Sequence, residues 1–451
     1  MTAPEASTSS EKAPSWRDNL AVYLQPRVLI VLLLGFSSGL PLALSGSTLR
    51  FWLRESHIDL ETIGLFALVG TPYTIKFLWA PLVDALSVPL LSKALGRRRG
   101  WLILSQLLLV ASIFLLGFCN PALTPWYVPF GAALLVATAS ATQDIVVDAF
   151  RIESLPKDEQ AAGMASYVAA YRIATLVSTA GALFLIDAFE KSGFARGDAW
   201  KFGYAAMAAL VIIGIVTVIF ATEPEQSRAA MEGHSGDPLK RVIATTKSAL
   251  TDFLTLDAVA AVLVFVVLFK FTDAFSGIMT EAFVVDIGFS KTDYATIVKG
   301  VGLAATLIGG FAGGFVARRY SLVTSLWIGG VLQAVANLSF SWLALVGANQ
   351  WALAFAITAE NFTSAIGTVI FVAYLSALCR NPLHTATQYA LLTALSAMGR
   401  TYLSSGAGYV AKATGWPMFF IICMLVAIPS LILLAWLQRR GHFEALGPVK
   451  V

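Results

Sequence analysis

The chain has 451 residues, of which 57% are hydrophobic and only 13% charged, with a mean hydropathy of +0.75 and a net charge of +4. A soluble domain carries about 25% charged residues, so this composition cannot coat a soluble protein of this length, and it equally excludes a disordered or nucleic-acid-binding chain. Three cysteines (Cys119, Cys379, Cys423) and four histidines (His57, His234, His384, His442) lie scattered, without the spacing of a disulfide framework or a metal site, so no metal or cofactor is expected.

Residues 1–27 are polar, contain Pro4 and Pro14, and lack the basic, apolar, small order of a cleaved leader. They are expected to form a cytoplasmic tail, with the first span acting as its own targeting signal. A bilayer-crossing helix needs roughly 20 mostly apolar residues. Twelve such spans are expected, at 28–53, 61–83, 101–118, 127–150, 161–187, 202–221, 257–283, 293–317, 322–346, 351–378, 387–411 and 416–437. With the N-terminus inside, Lys and Arg favour the inner connections roughly threefold, which places both termini in the cytoplasm. The longest connection, 222–256, is polar and falls between spans 6 and 7. Within it Leu239, Val242, Ile243, Leu250, Phe253 and Leu254 recur near helical spacing beside Lys240, Arg241 and Lys247, which fits an amphipathic helix on the cytoplasmic membrane surface; a plain linker fits as well. The organisation expected is therefore a first six-helix half (28–221), a linker (222–256), a second half (257–438) and a short cytoplasmic tail (439–451).

The two halves show traces of duplication. A shift of 231 residues lays Ser45-Gly46 on Ser276-Gly277 and Arg50 on Glu281; a shift of 228 lays Gln160 on Gln388 and Arg172 on Arg400. Both shifts superpose like-numbered spans. Two parallel six-helix repeats are the architecture of major facilitator transporters, whose site lies between the halves near the membrane midplane. The connection after span 2 carries Asp84 and Gly96-Arg97-Arg98-Arg99, and its counterpart carries Gly313-Gly314 and Arg318-Arg319. This cluster can latch helix ends, or simply report positive charge on the inner face. Gly309, Gly310, Gly313 and Gly314 provide small-residue spacing for close helix packing.

Ionisable residues at membrane depth are costly unless paired or wetted. Arg50, Lys76, Asp144, Asp148, Arg172, Lys270, Asp273, Glu281, Lys299, Glu360 and Arg400 all fall within the spans, more than a structural bundle needs, which points to a water-filled cavity. Asp144 and Asp148 lie four apart in span 4, on one helix face, where two carboxylates cannot both ionise cheaply. Asp144 is the expected proton-coupling residue. Asp148, three before Arg151, serves either with it or in a helix-end salt bridge. Lys270 and Asp273 can bind cargo or pair with each other. Arg172 and Arg400, at equivalent places in the two halves, can clamp carboxylates bidentately. Arg50 and Glu281 lie nearer the outer ends, where gating competes with binding. Tyr73, Trp79, Tyr167, Tyr171, Phe275 and Tyr374 can stack on sugar faces or pack. No histidine lies in a span interior, and no HExxH or GxSxG with partners is present, so an enzyme is not expected.

Several strings carry a resemblance: residues 35–44 (GFSSGLPLAL), 72–84 (PYTIKFLWAPLVD), 96–101 (GRRRGW), 140–149 (SATQDIVVDA), 360–364 (ENFTS) and 386–392 (ATQYALL). Over roughly 28–437 the chain resembles the AmpG-type muropeptide permeases of the major facilitator superfamily. The resemblance implies an all-α integral membrane protein of twelve helices in the bacterial inner membrane. It further implies proton-driven import of N-acetylglucosaminyl-1,6-anhydro-N-acetylmuramyl peptides for peptidoglycan recycling, and it carries the family's glutamine and aspartate onto Gln143 and Asp144. The expected binding set is Gln143, Arg50, Lys76, Tyr171, Arg172, Lys270, Asp273, Glu360, Asn361 and Arg400. The expected partners are the anhydromuropeptide, protons and the lipid bilayer, for a monomer that binds no nucleic acid. Another cargo, such as a siderophore, an acyl-CoA-like molecule, a sugar or a drug, remains the alternative.

Overall fold

A computed structural model describes residues 22–156, 159–224, 258–378 and 385–446. The described residues form helices and short connections, with no strand among them. Ten helical segments are long and apolar enough to cross a membrane: Pro26–Glu55, Arg97–Phe118, Tyr127–Ser154, Ser166–Lys191, Arg196–Phe220, Val259–Ile287, Lys291–Ala317, Leu322–Val346, Gln350–Leu378 and Trp416–Arg439. They correspond to expected spans 1, 3–10 and 12. The other two expected spans are helical but depart from a uniform apolar rod. Span 2 runs as Leu60–Leu65, Thr71–Ile75 and Ala80–Ala85, joined by 3-10 turns. Pro72 and Pro81 lack the N–H that a continuous helix needs, which accounts for its broken course. Span 11 runs as Thr385–Leu403 and Ala407–Thr414 around a 3-10 turn at Ser404–Gly406, and Arg400, Thr401, Ser404 and Ser405 make it polar. The amphipathic stretch expected at 239–254 lies outside the described residues.

Local chemistry sets the helix ends. Pro26 occupies the first turn of span 1, where its missing N–H costs nothing. The Asp59 carboxylate caps span 2 by accepting from the Thr62 amide at 2.8 Å. Ser290 and Asp293 form a reciprocal capping box at the start of span 8.

Helix pairing repeats in the two halves. Span 1 packs on span 5 as 7 packs on 11, 3 on 4 as 9 on 10, 3 on 6 as 9 on 12, and 1 on 6 as 7 on 12. The halves meet along three seams that obey the same two-fold: span 1 with 7, 2 with 11, and 5 with 8. The core is asymmetric along the bundle axis. At one end a single apolar cluster runs through both halves, from Leu49, Phe51 and Trp52 to Phe283, Tyr294 and Phe420. Toward the other end the cores are separate, one around Leu102, Val146 and Phe150, the other around Val262, Phe371 and Leu434. The bundle is thus sealed at one end and divided at the end that carries Arg97–Arg99.

At that arginine-rich end the sequence cluster does tie helix ends together, within the first half. Arg98 pairs with Glu153 of span 4 at 2.6 Å, and the Arg98 and Arg99 amides donate to Glu223 just after span 6. The Arg99 guanidinium donates to the Val218 and Ile219 carbonyls. The side chains of Asp84 and Arg318 lie outside what the structure describes, as does that of Gln388. Of the four glycines in span 8, Gly309 and Gly313 face span 10, where an added Cβ would come within 2.4 Å of the Phe362 carbonyl and 3.0 Å of Ile366 Cα; Gly310 and Gly314 face open space.

Candidate functional site

Between the halves lies a cavity of two adjoining lobes that share Leu42, Thr175 and Gly277. One, about 410 Å³, is lined by Arg50, Tyr73, Arg400, Thr401 and Ser404 among others. The second, about 380 Å³, is lined by Tyr171, Arg172, Glu281, Lys299, Thr306, Glu360 and Asn361 among others. Spans 1, 2, 5, 7, 8, 10 and 11 all contribute, so the two expected spans that are least rod-like and apolar include the wall of the first lobe. A helix that lines water on one side cannot be apolar all round.

Arg172 and Arg400 are exposed to this cavity, one in each lobe, and neither has a carboxylate within 4 Å among the described residues. Their placement follows from the repeat, since spans 5 and 11 are equivalent under the two-fold. Tyr171 has both arginines as charged neighbours, and its ring lies 6.1 Å from that of Tyr167. Glu360 lines the second lobe with Lys299, Lys270 and Asp273 as its charged neighbours. Asn361 is partly committed, donating to the Ile357 carbonyl at 3.0 Å and accepting from Thr306 at 3.2 Å.

Asp144 sits behind the wall of the cavity rather than on it. Ser38 of span 1 donates to its carboxylate, and the Tyr167 hydroxyl donates to Ser38 at 3.2 Å. Three spans therefore converge on this carboxylate. Span 1 can approach span 5 this closely because of Gly35 and Gly39: a Cβ there would lie 2.6 Å and 2.4 Å from the Tyr167 and Tyr171 carbonyls. Lys76 and Asp148 are its charged neighbours. Trp79, beside Lys76 in span 2, donates to Thr142 at 3.2 Å and holds the broken segment against span 4.

Several expected site residues are placed elsewhere. Gln143 is fully buried, lines neither lobe, and has no hydrogen-bond partner on either amide atom. Adjacent helix positions point about 100° apart, so Gln143 and Asp144 cannot both face the cavity side. Asp148 is half exposed and lies 3.9 Å from Arg151, which is the helix-end arrangement. Lys270 and Asp273 pair with each other. Asp273 also accepts from Gln333 and Ser364, both at 2.8 Å, and Lys270 donates to Thr368 at 2.9 Å. That closed network lines neither lobe.

Arg50 reaches the first lobe, but its guanidinium donates to Glu281 at 3.3 Å, across the seam between spans 1 and 7. It heads a set of cross-half contacts at the sealed end. Arg54 grips Asp286 with both nitrogens of its fork, one at 2.7 Å. Lys291 bridges Glu55 at 2.5 Å and Glu190 at 2.8 Å. Lys412 meets Glu61 at 2.8 Å, and Phe51 packs on Tyr294 with ring centroids 5.1 Å apart. Sequence reasoning singled out Arg50 and Glu281 for gating but missed Arg54, Glu55, Asp286 and Lys291, which read as ordinary loop-edge charges. It also missed Ser38, Gln333 and Ser364, polar residues common on any helix face.

Comparison with known proteins places this architecture. The Major Facilitator Superfamily matches residues 31–401. The anhydromuropeptide permease of Escherichia coli strain K12 is 38% identical over 92% of this chain and 80% of its own length. An AmpG-like protein of Rickettsia conorii is 34% identical over 93% and 98%. Among solved structures, the xylose transporter of E. coli in an inward open conformation superposes with a TM-score of 0.62 at 13% identity, covering 90% of this chain and 94% of that one. The helix pairing, the two-fold seams and these relatives agree: the chain belongs to the major facilitator superfamily and, within it, to the AmpG-type permeases.

Proposed function

We propose that this protein imports anhydromuropeptides, the N-acetylglucosaminyl-1,6-anhydro-N-acetylmuramyl peptides released by cell-wall turnover, across the bacterial inner membrane for peptidoglycan recycling. One observation carries the cargo class. Two guanidiniums, Arg172 and Arg400, stand open to the central cavity with no carboxylate partner among the described residues, in a chain 38% identical to a permease named for that cargo. Desolvating an arginine without a counter-charge is expensive, so a cavity that presents two is complementary to an anion with more than one carboxylate, as a peptide stem is. Tyr171 offers a stacking face, and Glu360 and Asn361 offer polar contacts.

The arginine-rich end is taken as cytoplasmic, following the charge bias, with both termini inside and 222–256 as the linker between halves. The sealed end then faces the periplasm and the divided end faces the cytoplasm. Transport proceeds by rocking of the halves about the fixed site, with Asp144 carrying the coupled proton in a monomer. Support for Asp144 is its depth, its Ser38–Tyr167 relay and the neighbouring cation Lys76.

The test is uptake by proteoliposomes under an imposed proton gradient. Labelled anhydromuropeptide should accumulate and an uncoupler should abolish accumulation. Accumulation of a siderophore, an acyl-CoA-like molecule or a simple sugar, with none of anhydromuropeptide, would overturn the cargo; accumulation indifferent to the uncoupler would overturn the coupling.

A further inference from the structure

We infer that Lys299 is a cargo-sensing residue: its ammonium binds a carboxylate of the cargo, and that engagement closes the latch between Arg50 and Glu281. The inference rests on the anionic-cargo reading above and adds to it the step by which cargo controls the sealed end.

Glu281 is 4% exposed. It accepts from Arg50 at 3.3 Å and from the Tyr294 hydroxyl at 3.1 Å. Lys299 lines the cavity lobe that holds Arg172, Glu281 and Glu360. Its ammonium stands over the Tyr294 ring, 5.0 Å from the centroid, with no carboxylate within 4 Å among the described residues. Its charged neighbours are Glu281, Arg50 and Glu360. The local fold brings these groups together. Residues Tyr294–Val301 form a π-helical segment. In an α-helix two residues five apart point about 140° away from each other. The i→i+5 spacing of the π-segment stacks them instead, which is how Lys299 comes to lie over Tyr294. Such insertions cluster at functional positions.

The two-fold seam gives the coupling. Glu281, Tyr294 and Lys299 all belong to the second half and travel together when the halves part. Arg50 belongs to the first half and departs. A carboxylate so buried then needs a new counter-charge, and Lys299, in the same lobe and the same half, is a cation placed to supply it. In the parted state Lys299 therefore neutralises Glu281 and competes with Arg50 for it. A cargo carboxylate that enters beside Arg172 draws Lys299 away, frees Glu281, and lets Arg50 close the latch. The arrangement seen, with Lys299 turned to the cavity and Glu281 held by Arg50, is the end point of that exchange.

The experiment places spin labels on the exposed residues Ser192 and Ala348 at the latched ends of the two halves (Ser192→Cys with Ala348→Cys, Cys379→Ser) and measures their separation with and without anhydromuropeptide, alongside equilibrium binding. In the otherwise native protein, cargo should shift the distance distribution toward the short, latched separation. Lys299→Gln should bind cargo roughly ten- to a hundredfold more weakly, the worth of one hydrogen bond to a charged group, and at saturating cargo should show no shift. Lys299→Arg, which keeps the charge, should bind and respond. A Lys299→Gln protein that closes on cargo as the native one does overturns the inference while leaving the cargo reading intact. A native protein that neither binds nor closes overturns the cargo reading and the inference with it.

Discussion

Removing Arg50 should open the sealed end. The Arg50 and Glu281 side chains are 13% and 5% exposed, so Arg50→Gln leaves a nearly buried carboxylate hydrogen-bonded by the Tyr294 hydroxyl, with a neutral amide in place of the guanidinium and Lys299 turned to the cavity. Deleting one partner of a buried pair costs about 3–5 kcal/mol, and the lower end suits a pair that is not wholly dry. The penalty falls on the latched state alone, because in the parted state Lys299 rather than Arg50 neutralises Glu281 and the substitution changes nothing there. A shift of about 3 kcal/mol moves the latched-to-parted ratio by roughly a hundredfold. Among the other cross-half pairs, Lys291–Glu55 is comparably buried, at 6% and 15%, and Arg54–Asp286 is more exposed, at 23% and 17%. Lys412–Glu61, at 57% and 30%, is screened by solvent and supplies the control. The assay is modification of a cysteine at Ser47, which lines the first lobe, by a membrane-impermeant maleimide applied from the sealed side. Arg50→Gln should raise the labelling rate by one to two orders of magnitude, Lys412→Ala should leave it nearly unchanged, and Arg50→Glu with Glu281→Arg should restore protection. If Arg50→Gln labels no faster than Lys412→Ala, the pair does not hold the halves together and burial has been misread as leverage.

Four further outcomes are expected. Asp144→Asn keeps an acceptor for Ser38 and should fold, but active accumulation should collapse while cargo exchange persists; unchanged pH dependence of accumulation would move the proton site elsewhere. Arg172→Gln or Arg400→Gln should raise the apparent KM about tenfold or more for peptide-bearing cargo and less for the bare disaccharide, and an equal loss for both would show a structural role. Gly39→Val would drive a side chain into the Tyr171 carbonyl 2.4 Å away, separating spans 1 and 5, so thermal stability in detergent should fall and Asp144 should lose its Ser38–Tyr167 relay. Burial pushes the Asp59 carboxyl up, but hydrogen bonds from the Thr62 amide and hydroxyl outweigh it and hold the group below its ordinary value of 3.8. Its capping contribution is therefore present above the unfolded pKa and lost as pH falls through the lower folded one, so the stability difference between native protein and Asp59→Ala should be constant near neutrality and vanish only in strong acid.

The fold was legible because it is written in long apolar runs. Ten of the expected spans appear as helical segments long and apolar enough to cross a membrane, with ends shifted by a few residues where polar caps extend a helix, as at Arg196 and Arg97. The two that do not are those in which a cavity wall or prolines override hydropathy. The charged residues at depth were visible for the same reason, since each contradicts its surroundings. Their partners were less so. Arg172 and Arg400 were found because the repeat equates them and each lacks a local counter-charge. Gln143 was assigned with Asp144 because they are neighbours in sequence, yet a helix turns adjacent side chains apart, and only the packing tells which one faces inward. Ser38 carries no such signal: one serine in Gly35–Leu44 looks like the next, and its role depends on Asp144, 106 residues away. Lys291 reads as an ordinary loop-edge lysine, although it bridges two carboxylates of the opposite half.

The two-fold also explains why the repeat is so faint where the halves touch. Arg54 meets Asp286, one residue past its equivalent Val285, and where the offset is 231 a residue near the axis meets its own equivalent, Arg50 with Glu281. In an exact duplication that last pair would set arginine against arginine, a repulsion that low dielectric magnifies. A latch across the axis therefore requires the copies to diverge to opposite charge there. Arg172 and Arg400 stand in contrast: identical, set in separate lobes, and open to cargo rather than to each other. Like charge at equivalent positions is tolerable only where an anion or water comes between. Identity of charge across the repeat thus marks residues that face the cavity, and opposition of charge marks residues that close it. By that criterion Glu281 belongs with the latch although it lines a lobe, and Lys299, which lines the same lobe with that carboxylate as a charged neighbour, is the residue placed to connect the two.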